Sequence, residues 1–248
     1  MRYFLDIAYM GTAFHGWQVQ DNACTVQAEI NSALSTILRE KTDCLGSGRT
    51  DTGVHATHQI AHFDTENELD SDKLIFKLNS LLPKTISINA CSKVIETAHA
   101  RFDADLRSYE YHIHHHKNPF NDGQSYHFKG DLDWDQISEA CQLISTWRNF
   151  QAFSRVQTEV NHFHCEIKEI KWDQTNDGSV FRVSANRFLR GMVRAMVGTL
   201  LEIGQGRMTI EQLKLVLESG DRRKAGRAVP PEGLYLTWVS YPEHIYIK

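Results

Sequence analysis

Apolar and polar residues recur along this chain with two periods, and the periods divide it into strands and helices. RYFLDIAY at 2–9 concentrates aromatic and β-branched residues and predicts a strand. Val26, Ile30, Ala33, Leu34, Ile37 and Leu38 then fall on one helical face, so a helix is predicted over 26–40 with Thr25 as its cap. HQIAHFD at 58–64 reads as a second strand. Leu74, Leu78, Leu81 and Leu82 predict a helix over about 71–82, ended by Pro83. TISINACSKVI at 85–95 is the third strand of this half.

A second set of elements begins near Leu106. RSYEYHIHH at 107–115 alternates with a period of two, placing Tyr109, Tyr111 and Ile113 on one face and Glu110, His112 and His114 on the other. A helix follows at about 134–147. CEIKEIKW (165–172) and SVFRVSA (179–185) predict a hairpin turning at Asn176, Asp177 and Gly178. Helices are predicted at about 187–203 and 209–218, and GLYLTWVSY (233–241) predicts a last strand. The fold class is therefore α+β. It comprises two mixed halves with antiparallel sheets, residues 1–105 and 106–248, and the expected site is the cleft between them.

Composition narrows the function classes. An apolar fraction of 41% and a charged fraction of 23% are those of a globular domain. No apolar run approaches the roughly 18 residues of a membrane span, and MRYFLDIAYM lacks a signal-peptide pattern, so a cytoplasmic protein is expected. The five cysteines are widely spaced without a CxxC, which excludes a disulfide framework or a zinc ribbon. Net charge is −4, yet residues 178–201 carry Arg182, Arg187, Arg190 and Arg194 with no acid. RRKAGR at 222–227 adds four more positive charges. A local basic face on an acidic protein follows.

The stretch richest in chemistry is GSGRTDTGVHA at 46–56, where three glycines in eight residues mark an unusual loop holding Arg49 and Asp51. The pattern alone fits a positioned carboxylate and an ordinary turn equally well. Four further segments accompany it in order: YMGTAFHGWQ (9–18), HARFDA with RSYEY (99–111), ANRFLRGMVRAMVG (185–198) and PPEGLYLTWVSYP (230–242). Together they resemble the motifs of the tRNA pseudouridine synthases of the A class over nearly the whole chain. The resemblance implies isomerisation of uridine in the anticodon stem and loop of tRNA, at positions 38, 39 and 40, by a homodimer without cofactor. It implies catalytic Asp51, with Arg194 keeping that carboxylate ionised in a closed pocket. The two should meet within about 3 Å, the reach of a charge-assisted hydrogen bond. It also implies that Tyr109 stacks on the uracil and that Arg49 enters the RNA beside the flipped nucleotide. Arg187 and Arg190 are the expected phosphate contacts.

A carboxylate suits the reaction, which breaks the N1–C1′ bond and joins C1′ to C5. It can attack carbon, stabilise a cationic sugar or move a proton, and the residues leave these routes open. His112, His114, His115, His116, His162, His164 and Cys165 match no common zinc spacing, so no metal is expected. No GxxxxGK[ST] or GxGxxG occurs, so no nucleotide cofactor is expected. Two other readings compete: a tRNA-binding or chaperone protein without catalysis, and a glycoside-transferring enzyme acting on a small nucleoside. The presence of Arg49, Asp51, Tyr109 and Arg194 disfavours the first, and the long basic segments disfavour the second.

Overall fold

A computed structural model describes residues 1–156 and 160–247. They form two compact units, one of Met1–Leu106 with Tyr235–Lys248 and the other of Arg107–Leu234. In chain order the first unit contains β1 (Arg2–Tyr9), α1 (Val26–Leu38), β2 (Leu45–Gly46), β3 (His55–Asp64), α2 (Ser71–Leu81) and β4 (Ile86–Val94). The second contains β5 (Leu106–His114), β6 (Tyr126–His127), α3 (Trp134–Thr146), β7 (Ile167–Gln174), β8 (Gly178–Ala185), α4 (Met192–Gly204) and α5 (Ile210–Ser219). Strand β9 (Leu234–Ser240) returns the chain to the first unit.

In the first unit β1 lies between β4 and β3, antiparallel to both, with Leu5 opposite Cys91 on one side and Ala61 on the other. Tyr3, Leu5, Ile7 and Tyr9 are all buried. Phe4, on the opposite face, is buried as well, beneath the edges of Tyr241 and Tyr246. Cover on both faces is why β1 reads as a nearly continuous apolar run rather than as an alternation. The helices start where local chemistry satisfies their first N–H groups: Thr25 accepts from Ala28 N and Asp70 from Lys73 N. Leu82, just before Pro83, is extended and ends α2. Asn79 ties α2 to β4 through both polar groups of Ile88, at 2.8 and 2.9 Å.

The sequence reading places residues 235–248 in the second half, whereas the structure groups them with the first unit. Tyr235 and Leu236 pair in parallel with His55 and Ala56, and Ile247 N donates to Lys93 O. No local pattern encodes such a pairing between the two ends of a chain. The strand pairing is mostly antiparallel, as the sequence predicts, with β6 also running parallel to β5.

In the second unit β8 lies between β5 and β7, antiparallel to both, with Tyr111 and Trp172 opposite Phe181. Helix α4 is buried nearly all round, from Met192 to Gly204. It begins at Met192 and not at 187. The apolar period continues through 188–193, but Gly191 has φ 73°, a left-handed conformation that cannot extend a helix. Arg187 and Arg190 are therefore loop residues. Thr199 Oγ1 accepts from Gly226 N at 2.9 Å, which draws the 222–227 segment across α4. A Cβ on Gly198 would lie 1.8 Å from Arg227 O, a backbone atom that cannot swing aside. Gly198→Ala is expected to destabilise the protein by about 2–3 kcal/mol, the usual scale of overpacking. Thermal unfolding should show it as a loss of roughly 5–10 °C.

Candidate functional site

The 46–56 loop is built by the 9–18 segment packed against it. Gly16, at φ 91°, brings its backbone so close that a Cβ there would lie 2.5 Å from Thr50 O. A Cβ on Gly11 would lie 2.0 Å from Val54 O. The two glycines are thus spaces into which the loop fits. Trp17 N donates to Thr50 O at 3.2 Å and Gly53 N to Phe14 O at 3.4 Å. The Tyr9 and Thr50 hydroxyls share a 2.8 Å hydrogen bond. Behind the loop, Ser47 Oγ donates to Gln59 Oε1 at 2.5 Å, and Gln59 Nε2 donates to Gly48 O at 2.9 Å. His55 is fully buried, accepts from Gly11 N through Nδ1 at 3.0 Å and stacks on Tyr235 at 4.5 Å.

These contacts leave Thr50 buried, Asp51 half-buried and Arg49 exposed. Val54 N donates to Asp51 O at 3.1 Å, closing the turn through the backbone. A carboxylate is thus presented from a loop held on both sides, which suits a group that must meet a reacting carbon at a set distance. The sequence reading named Arg49 and Asp51 but missed Tyr9, Gly11, Gly16, Trp17, His55 and Gln59 as their support. The glycine pair of the 9–18 segment was the available signal.

Tyr109, Arg187, Arg190 and Arg194 all belong to the second unit. Tyr109, Tyr111 and Ile113 share a face of β5, as their alternation predicts. Tyr111 and Ile113 are buried while Tyr109 is partly exposed. Phe188 meets the Tyr109 ring edge to face at 5.0 Å, so the 185–198 segment supports Tyr109 directly. Tyr111 donates its hydroxyl proton to Pro230 O at 2.8 Å. Its pKa is pushed up mainly by burial, so it stays a phenol. Arg194 lies in the first turn of α4, where a cation opposes the helix dipole, so helix stability does not explain its position. Its Nε donates to Val229 O at 2.7 Å and its carbonyl accepts from Val229 N at 3.2 Å, which sets the direction of the guanidinium. Arg187 is half-buried, 3.2 Å from His162 Nε2, and Arg190 is exposed.

The basic segments are less basic in space than in sequence. Arg182 pairs with Glu110 at 2.9 Å and also with Asp173, both on neighbouring strands. Arg223 forms a two-pronged pair with Asp221 at 3.0 and 2.9 Å. Arg222 turns back onto the carbonyls of Ala225 and Gly226. Lys224 and Arg227 remain exposed. The histidines are spread over separate partners: His112 on Glu110, His114 on Ser125 and His115 on Phe128 O. Among the described residues no group of three or more His, Cys, Asp or Glu is placed to hold a metal ion. Burial pushes the thiols of Cys44 and Cys141 up to about 12 and those of Cys91 and Cys165 to about 11, as expected of packed, unreactive cysteines.

The family model described as tRNA pseudouridine synthase matches residues 7–103 and 141–242. The chain is 46% identical over 246 residues to the tRNA pseudouridine synthase A of Parabacteroides distasonis, covering 99% of this chain and 98% of that protein. It is 44% identical to that of Bacteroides thetaiotaomicron, covering 99% and 92%. It is 39% identical to that of Bacillus pumilus, covering 95% and 97%.

Proposed function

We propose, from the premise that this chain belongs to the tRNA pseudouridine synthase family, that Asp51 performs the chemistry and that Arg49, Tyr109 and Arg194 prepare the uridine and the carboxylate for it. The enzyme isomerises uridine to pseudouridine in tRNA. The bond from uracil N1 to ribose C1′ breaks, C1′ joins C5, and the proton on C5 leaves while N1 gains one. No redox change and no external donor enters this balance, so a carboxylate suffices.

The observation that carries the assignment of Asp51 is the construction of its loop. The carboxylate is half-buried beside the locked, buried Thr50, while the adjacent Arg49 is exposed. Arg49 is placed to enter the RNA stack where the uridine leaves it, since a guanidinium stacks and bonds phosphate at once. Tyr109, partly exposed against Phe188, is the platform for the extruded uracil. Arg194 is the cation that supports the Asp51 carboxylate when a base closes the pocket. Arg187 and Arg190 contact phosphate. The targets are uridines of the anticodon stem and loop, and the working form is a cytoplasmic homodimer in which two basic surfaces serve one tRNA. Among the described residues no helix is long and apolar enough to cross a membrane.

The test is release of tritium from C5-labelled uridine in a tRNA transcript. Stoichiometric release supports isomerisation, while tight binding without release would favour the non-catalytic RNA-binding reading. In the same assay Arg49→Ala is expected to bind tRNA within roughly threefold of the parent, yet slow single-turnover release at least tenfold, an order-of-magnitude expectation for a group acting on the flipped state. A large loss of affinity with normal chemistry would move Arg49 to the docking surface.

A further inference from the structure

HARFDA at 99–104 folds into a turn held by hydrogen bonds within it and by bonds to His62 and Tyr241. His99 N donates to Asp103 Oδ2 at 2.7 Å and Asp103 N to His99 O at 3.1 Å. The N–H groups of Arg101 and Phe102 both point at His99 Nδ1, at 3.1 and 3.3 Å. Ala100 N donates to His62 Nδ1 at 3.2 Å, and Ala100 O accepts from the Tyr241 hydroxyl at 2.6 Å. Both imidazoles must be neutral at these nitrogens to accept. Burial, helped by the nearby Arg2, depresses both, His62 to about 4. Two histidines and a tyrosine thus fix residues 100–102, and Asp103 ties the ends of the turn together.

What the turn displays is an aromatic ring and a cation. Phe102 is 74% exposed, far from the burial a phenylalanine normally attains, and the Arg101 guanidinium carbon lies 5.5 Å from its ring centroid. A ring on a mobile loop would be an ordinary surface residue. A ring held by a rigid turn, with the His99 ring 4.3 Å from it and a guanidinium over it, and still largely exposed, has the chemistry that grips single-stranded RNA: aromatic surface for a base and a charge for its phosphate. The turn is tied to β3 through His62 and to the C-terminal segment through Tyr241, outside the 46–56 loop. A contact made by this turn is expected to act on binding and not at the reacting carbon.

We propose that Phe102 and Arg101 form a second tRNA-contacting point, in which Phe102 stacks on an unpaired base other than the isomerised uridine and Arg101 pairs with the adjoining phosphate. The proposal rests on tRNA being the substrate. It is tested with Phe102→Ala, Phe102→Trp and Arg101→Gln, using a tRNA transcript in fluorescence anisotropy, with single-turnover tritium release at saturating enzyme. Phe102→Ala is expected to weaken binding about tenfold, in the range of one lost base stack, and to leave the saturated rate within roughly twofold. Phe102→Trp should retain affinity. Arg101→Gln should reduce the slope of log affinity against log salt by about one. Unchanged affinity in Phe102→Ala would overturn the proposal, as would a loss that tryptophan does not restore or a lowered unfolding temperature. A shift in sedimentation showing that the ring holds a second copy of the chain would overturn it too. Failure of the parent enzyme to release tritium would instead strike the isomerase reading, since the binding comparison stands without turnover.

Discussion

Asp51→Asn leaves the fold intact and abolishes isomerisation. The amide is nearly isosteric with the carboxylate, and the contacts that shape the loop belong to other atoms: Asp51 O with Val54 N, Trp17 N with Thr50 O, Tyr9 with Thr50, and Ser47 with Gln59. The substitution should therefore leave circular dichroism and the unfolding temperature close to those of the parent. The chemistry has no such reserve. An amide carries no charge to stabilise a cationic sugar, is a poor nucleophile and cannot take a proton at neutral pH. Removing a group that reacts directly is expected to cost at least about 10³-fold in single-turnover tritium release. Binding of tRNA should not weaken, because the amide keeps the size of the carboxylate and removes a negative charge that does not attract phosphate. Substantial turnover by the folded amide variant would remove Asp51 from the catalytic role.

Arg194→Met is expected to lower the saturated rate by about 10²–10³-fold, the scale of removing one preorganised charged donor, while tRNA affinity falls by less than about threefold. The arginine sits against the dipole of α4, and Val229 O holds its Nε at 2.7 Å, a placement that costs the helix something and directs the side chain. Methionine keeps the length and apolar stem but leaves Val229 O without that donor, at a stability cost of about 1 kcal/mol that unfolding would register. Arg194→Lys should recover part of the rate, since an ammonium keeps the charge but loses the planar fork. If Arg194 works through the Asp51 carboxylate, the loss in Asp51→Asn and Arg194→Met combined should be far smaller than the product of the single losses. Multiplicative losses would show that Arg194 acts independently of the carboxylate. A defect confined to affinity would make it a phosphate contact.

The sequence by itself determined the local elements and the chemical inventory. Strand β1, helices α1, α2, α3 and α5 and the β7–β8 hairpin were legible because their periods, caps and breakers are local: Thr25, Pro83 and the turn before Gly178 act on their neighbours. The resemblance in five ordered segments supplied the reaction and a role for Asp51 that loop composition alone left even with an ordinary turn. The start of α4 was misplaced because the apolar period runs on past Gly191, and only its left-handed backbone ends the helix. Tertiary structure decided the rest. The parallel pairing of β9 with β3 joins residues about 180 positions apart, which no window on the sequence contains. The charge at Arg182 is matched by Glu110 and Asp173 on separate strands, so a run without acids is not a basic surface until its neighbours are known. The glycines at 11 and 16 acquire their purpose only when the 46–56 loop packs against them, because closeness of two backbones is a property of the folded chain and not of either segment alone.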